Sequence, residues 1–154
     1  MGGLLIVAVC WPLLTALALL PPVLRPLARR LAPWAALPAL LVSAATVTDI
    51  GAGWLMFGGG FGIDGTAAVL LPVTSALWLA SGLFVRHHLP AGTRRDVFFG
   101  WFLPAMAGNL LLLTALDAVI FYLCYTLMSV TAYGLIVHSG EDRARHAGRY
   151  YFAM

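Results

Sequence analysis

The chain contains no lysine, and only 10% of its 154 residues are charged, the nine basic ones all being arginine. A soluble domain of this size needs about 25% charged residues to clothe its surface. That scarcity disfavours a soluble enzyme, a disordered tail and a nucleic-acid module together. Cysteine is also sparse. Cys10 and Cys124 lie in separate apolar runs, which excludes a disulfide framework, a metal-ligand spacing and an iron–sulfur cluster, and leaves them as small packing residues. No flavin or quinone motif is present, so neither a cofactor nor a metal is expected. What is abundant is apolar: 62% hydrophobic residues and a mean hydropathy of +0.93 mark an integral membrane protein.

A crossing of the hydrocarbon core takes about 20 apolar residues, and five runs qualify: Gly3–Leu20, Pro33–Ile50, Thr66–Val85, Val97–Leu116 and Ala118–Val137. The expected fold is therefore all-α, a polytopic transmembrane bundle of five spans forming a single membrane domain over 1–154. A further apolar run, 150–154, reads as the start of a sixth helix. The first run has no positive side chain before it and Arg25, Arg29 and Arg30 after it, the reverse of a cleavable signal. All nine arginines fall in loops one, three and five, whereas loops two and four hold only Asp49, Asp64 and Asp117. This alternation predicts an N-terminus outside and a C-terminus inside a cell inner (plasma) membrane. The arginines thus serve topology and do not call for a nucleic-acid partner. Between the second and third spans, the glycine-rich stretch 51–65 predicts a small hairpin or irregular flap, and it lacks the lysine of a phosphate-binding loop. Asp64 is placed to cap the third helix.

Ionisable residues inside a span are functional candidates by default, and here none clearly exists. His87, His88, His138 and His146 sit beside arginines at the predicted cytoplasmic ends, where interfacial anchoring is the simpler role. The remaining candidates are neutral. Tyr122, Thr126, Ser129 and Tyr133 recur at intervals of four, three and four, forming one stripe along the fifth helix, and Asn109 lies mid-span in the fourth. Such groups serve as interhelical hydrogen-bond glue or as the lining of a proton path; none titrates near neutral pH.

Several segments resemble the antiporter-like membrane subunits of complex I (NADH:quinone oxidoreductase), the Mrp cation/proton antiporters and the hydrogenase-4 and formate hydrogenlyase membrane subunits. They are Ile63-Asp64-Gly65, Phe98-Phe99, Ala107-Gly108-Asn109, Asp117, the stretch from Phe121 to Ile136, Ala147-Gly148 and Tyr151-Phe152. The resemblance implies a truncated or split subunit in the membrane arm of an oxidoreductase, hydrogenase or antiporter complex. Its partners would be other membrane subunits and the bilayer, and its association would be with proton translocation. Where the family carries a glutamate essential for translocation, this chain has Thr126, and no lysine exists to pair with one. The chain is therefore not expected to pump, or to be catalytic, alone. The competing expectations are a small membrane scaffold or assembly protein, or a non-functional truncated frame.

Overall fold

A computed structural model describes residues 2–45, 50–55, 59–89 and 92–138. Asp49, His146, Arg143, Arg145, Arg149, the acidic residues 141–142 and the apolar run 150–154 lie outside the described residues.

Helix α1 (Gly2–Ala18) contains no charge and carries Pro12 at its middle. It stops ahead of Pro21-Pro22, which cannot donate to a continuing helix. Arg25 closes its end, Nε donating to the Leu19 carbonyl at 3.0 Å and Nη2 to that of Leu20 at 3.1 Å, so a cation sits where the helix dipole is negative. The first connection is not a plain loop. Arg25–Leu31 forms a short helix, α2, with proline in its first turn, Ala28 buried and its other side chains mostly outward. Charge ends an apolar run, but it does not end a helix.

The expected second span is interrupted. A 3-10 turn (Ala32–Trp34) holds Pro33, and helix α3 (Leu37–Ala45) begins afresh with Pro38 in its first turn. Ile50, expected in that span, instead opens strand β1 (Ile50–Leu55). This strand pairs antiparallel with β2 (Gly59–Ile63) in the register Ile50↔Ile63, Gly51↔Gly62, Ala52↔Phe61 and Leu55↔Gly59. The ladder is irregular between Ala52 and Leu55. The bundle is therefore predominantly helical with a hairpin at one end, not wholly α.

Three long helices follow: α4 (Gly65–His88), α5 (Thr93–Leu113) and α6 (Ala118–Val137). At 1.5 Å per residue they run about 30–36 Å, and all three are long and apolar enough to cross a membrane. The 17-residue α1 is apolar but shorter. In its most apolar window α5 is 50% buried, against 17% for α4 and 22% for α6. Thus α5 is the central post, and its flanking helices present apolar side chains such as Val69, Val73, Leu77, Val119 and Leu123 outward. The core holds Leu5, Val9, Leu71, Leu103, Met106 and Leu110.

The α5–α6 pair is joined by a turn of four residues, which forces the two helices antiparallel. Phe98 meets His138, Trp101 lies over Gly134, and Gly108 abuts the backbone of Met128 and Cys124. The pairing thus descends one helix as it climbs the other. A β-carbon on Gly108 would stand 2.8 Å from the Met128 nitrogen, and one on Gly82 would stand 2.8 Å from the Pro33 carbonyl oxygen of the 3-10 turn. At these two positions the backbones touch because no side chain intervenes.

Candidate functional site

The described arginines gather at one end of the bundle and the aspartates of the connecting turns at the other. At the hairpin end, Asp64 is the N-cap of α4: its backbone is extended and its Oδ1 accepts from the Ala67 N–H at 2.6 Å. Asp117 does the same for α6, Oδ1 accepting from the Ile120 N–H at 3.0 Å, and its Oδ2 accepts from the Gly60 N–H of β2 at 2.9 Å. These amides, Ile120 first and Gly60 second, hold its carboxyl below the usual carboxylate range. The turn itself joins the sheet. Gly62 N–H donates to the Thr114 carbonyl at 2.8 Å, Leu116 N–H donates to the Gly60 carbonyl at 3.0 Å, and Phe61 bridges Ala115. The hairpin, the α5–α6 turn and the start of α6 form one hydrogen-bonded lid.

Mid-bundle, half-buried Asn109 of α5 ties three helices together. Its Oδ1 accepts from Trp78 Nε1 of α4 at 3.0 Å, and its Nδ2 points at the Met128 sulfur of α6 at 3.4 Å. Trp78 also meets Phe102 edge-on at 5.0 Å. A side-chain amide can bridge in this way because it both donates and accepts.

The hydroxyl stripe does not join this cluster. Cys124, Met128, Thr131 and Gly134 face inward or against α5, whereas Tyr122, Thr126, Ser129 and Tyr133 lie about 200° away, two residues on at about 100° each. Tyr122 is 67% exposed, Thr126 is exposed, and Ser129 and Tyr133 are half-buried. The Thr126 hydroxyl donates to the carbonyl of Tyr122 at 2.8 Å, within its own helix. Exposed Phe121 and Tyr125 flank the stripe with their rings parallel.

At the opposite end, Arg29 of α2 grips Asp96 of α5. Nε donates to Oδ1 at 2.9 Å and Nη2 to Oδ2. The Asp96 carboxylate, chiefly through these bonds, raises the Arg29 pKa above its already high value. Exposed His88 stacks on Phe84 at 3.7 Å, and His87 is exposed beside it. No group of three or more His, Cys, Asp or Glu among the described residues could hold a metal ion.

Two anchors escaped the sequence reading. Asp117 was visible as a turn and, preceding an apolar run as Asp64 does, carried the same capping signal. Its bond to Gly60, and the Arg29–Asp96 pair, join residues 57 and 67 positions apart and leave no local mark. No family model matches the chain, and no curated protein matches it.

Proposed function

We propose that the chain is a multi-pass subunit of the cell inner (plasma) membrane, built into a larger antiporter-like assembly of a complex I-related oxidoreductase or membrane-bound hydrogenase. In that assembly it supplies a helical wall and no proton relay of its own. The observation that carries this reading is the outer face of α6, where Tyr122 and Thr126 lie exposed beside exposed Phe121 and Tyr125. Hydroxyl side chains are among the groups that helix–helix contacts in a bilayer use. In this reading the chain crosses the bilayer five times, by the three long helices α4, α5 and α6 and by the shorter α1 and the 3-10 turn with α3. Arg25, Arg29, Arg30, Arg86, Arg94 and Arg95 lie at one end, and Asp64 and Asp117 at the other. Under the positive-inside rule the hairpin end faces out and residue 138 faces the cytoplasm.

A second reading, a stand-alone scaffold or assembly protein, is favoured by one feature: the Thr126 hydroxyl bonds within its own helix and faces outward, so no other helix among the described residues answers it. A photo-crosslinking amino acid at position 126, with position 73 on α4 as control, separates the two. Position 126 is expected to capture a membrane-arm subunit of an oxidoreductase, hydrogenase or antiporter. Capture of lipid alone at both positions refutes the assembly reading, and capture of an unrelated membrane protein favours the scaffold.

A further inference from the structure

The arginine end of the bundle is not a uniform charged rim. Arg29, Arg30, Trp34, Arg86 and Arg95 line a single cleft of about 400 Å³. They arrive from α2, the 3-10 turn, the last turn of α4 and the first turn of α5, so separate passes of the chain converge there. Asp96 neutralises Arg29. Among the described residues, Arg30, Arg86 and Arg95 have no ion-pair partner, which leaves three uncompensated guanidiniums facing one space. Gathering like charges is unfavourable unless an anion joins them. Guanidinium forks match phosphate oxygens in pairs. Trp34, 42% exposed, adds the amphipathic ring that favours the headgroup level of a bilayer.

Adjoining this cleft, and sharing Arg29 with it, is a mostly apolar groove of about 540 Å³ between the second half of α1 and the first half of α5, with Leu13, Leu17, Gly100, Trp101 and Pro104 as walls and Arg25 and the Arg29–Asp96 pair at its charged end. A recess of three free positive charges opening onto an apolar groove has the shape of one kind of molecule: an anionic head carrying a hydrocarbon tail. We propose that the cleft binds the phosphate of an anionic phospholipid and that the groove takes the upper part of one acyl chain. The proposal rests on the bilayer part of the reading above and is independent of which assembly the chain enters. Basic pockets at the cytoplasmic ends of membrane helices are suited to such headgroups.

The test uses the full chain in neutral detergent, titrated with phosphatidylglycerol, phosphatidylcholine or inorganic phosphate and read by native mass spectrometry. One saturable phosphatidylglycerol is expected, with phosphatidylcholine weaker. At about five-fold per charge, the triple variant R30Q/R86Q/R95Q is expected to lose roughly a hundred-fold in affinity. R94Q, at the same end but outside the cleft lining, is expected to stay within about two-fold. Circular dichroism establishes that each variant keeps its helices. Filling the groove with G100L is expected to weaken phosphatidylglycerol. Unchanged binding in the triple variant, or an equal loss in R94Q, would overturn the site. Inorganic phosphate binding as tightly as the lipid, or G100L without effect, would overturn the lipid as its source. Because this assay contains no protein partner, its failure is distinguishable from failure of the crosslinking experiment.

Discussion

Replacing Gly108 by alanine is a one-carbon perturbation aimed at the α5–α6 seam. The new β-carbon would lie 2.8 Å from the Met128 nitrogen, 3.1 Å from its Cα and 3.2 Å from the Cys124 carbonyl oxygen. Ordinary contact begins near 3.4 Å, so the helices must separate by about 0.6 Å, and because every obstructing atom is backbone, no rotamer change relieves it. A gap of 0.5–1 Å forfeits about a quarter to a half of each contact's attraction. Overpacking a tight contact of this kind costs about 1–3 kcal/mol. Alanine's better helix propensity returns about 1 kcal/mol, leaving a net loss of about 0–2 kcal/mol, and Gly108→Leu is expected to lose more. Gly100 lies on the same helix two turns earlier, with nothing within 4 Å of its β-carbon position, so Gly100→Ala is expected to gain up to about 1 kcal/mol. Equilibrium unfolding in mixed micelles, followed by circular dichroism, measures the ordering. If Gly108→Ala and Gly108→Leu prove as stable as Gly100→Ala, the close approach of α5 and α6 is refuted.

Asn109→Ala leaves the Trp78 indole N–H without its acceptor and is expected to cost about 1–2 kcal/mol in the same unfolding assay. Removing the α4 cap with Asp64→Ala should cost about 1 kcal/mol, and Asp64→Asn much less, since asparagine caps comparably; equal losses from both would point away from capping. Because the folded-state pKa of Asp117 is depressed, the stability it contributes is complete above the ordinary unfolded value of about 3.9 and fades as pH falls through the folded value. Hydrogen-exchange protection of the Gly60 and Leu116 amides is therefore expected to decline in acid below about pH 4, and Asp117→Ala should remove that dependence. Thr126→Glu places a charge on an outward face, and by analogy with other charged residues at a helix centre it is expected to cost about 2.5–3.5 kcal/mol of insertion when the chain is expressed alone. A glycosylation-mapped insertion assay reads this, and no change in the inserted fraction would argue that position 126 does not face hydrocarbon.

The elements legible in the sequence are those written in long uninterrupted runs. The run Ala118–Val137 is α6 to the residue, and Thr66–Val85 and Val97–Leu116 lie close to the bounds of α4 and α5. The hairpin was legible as glycine-rich punctuation between two short apolar pieces. Hydropathy alone could not reveal the break in the second run, because Pro33 and Pro38 are apolar and pass unnoticed in an average while they restart the backbone. It also missed α2, whose arginines look like loop. The stripe on α6 was legible as a periodicity, but its direction was not: a helix apolar nearly all round gives no preferred inner face. Only the seam, set by Gly108 and Gly134 against their neighbours, turns Thr126 outward.

The lid also has an order in time. Its first component, β2, is complete once Ile63 leaves the ribosome, yet the groups that bond Gly62 and Gly60, the Thr114 carbonyl, the Leu116 amide and the Asp117 carboxylate, are made some fifty residues later. Synthesis runs from the N-terminus, so the edge of the hairpin waits, unpaired, while α4 and α5 are threaded. It closes only when α5 has returned to the end from which α4 started. An α5 that failed to make its return would leave the Gly60 and Gly62 amides without these acceptors.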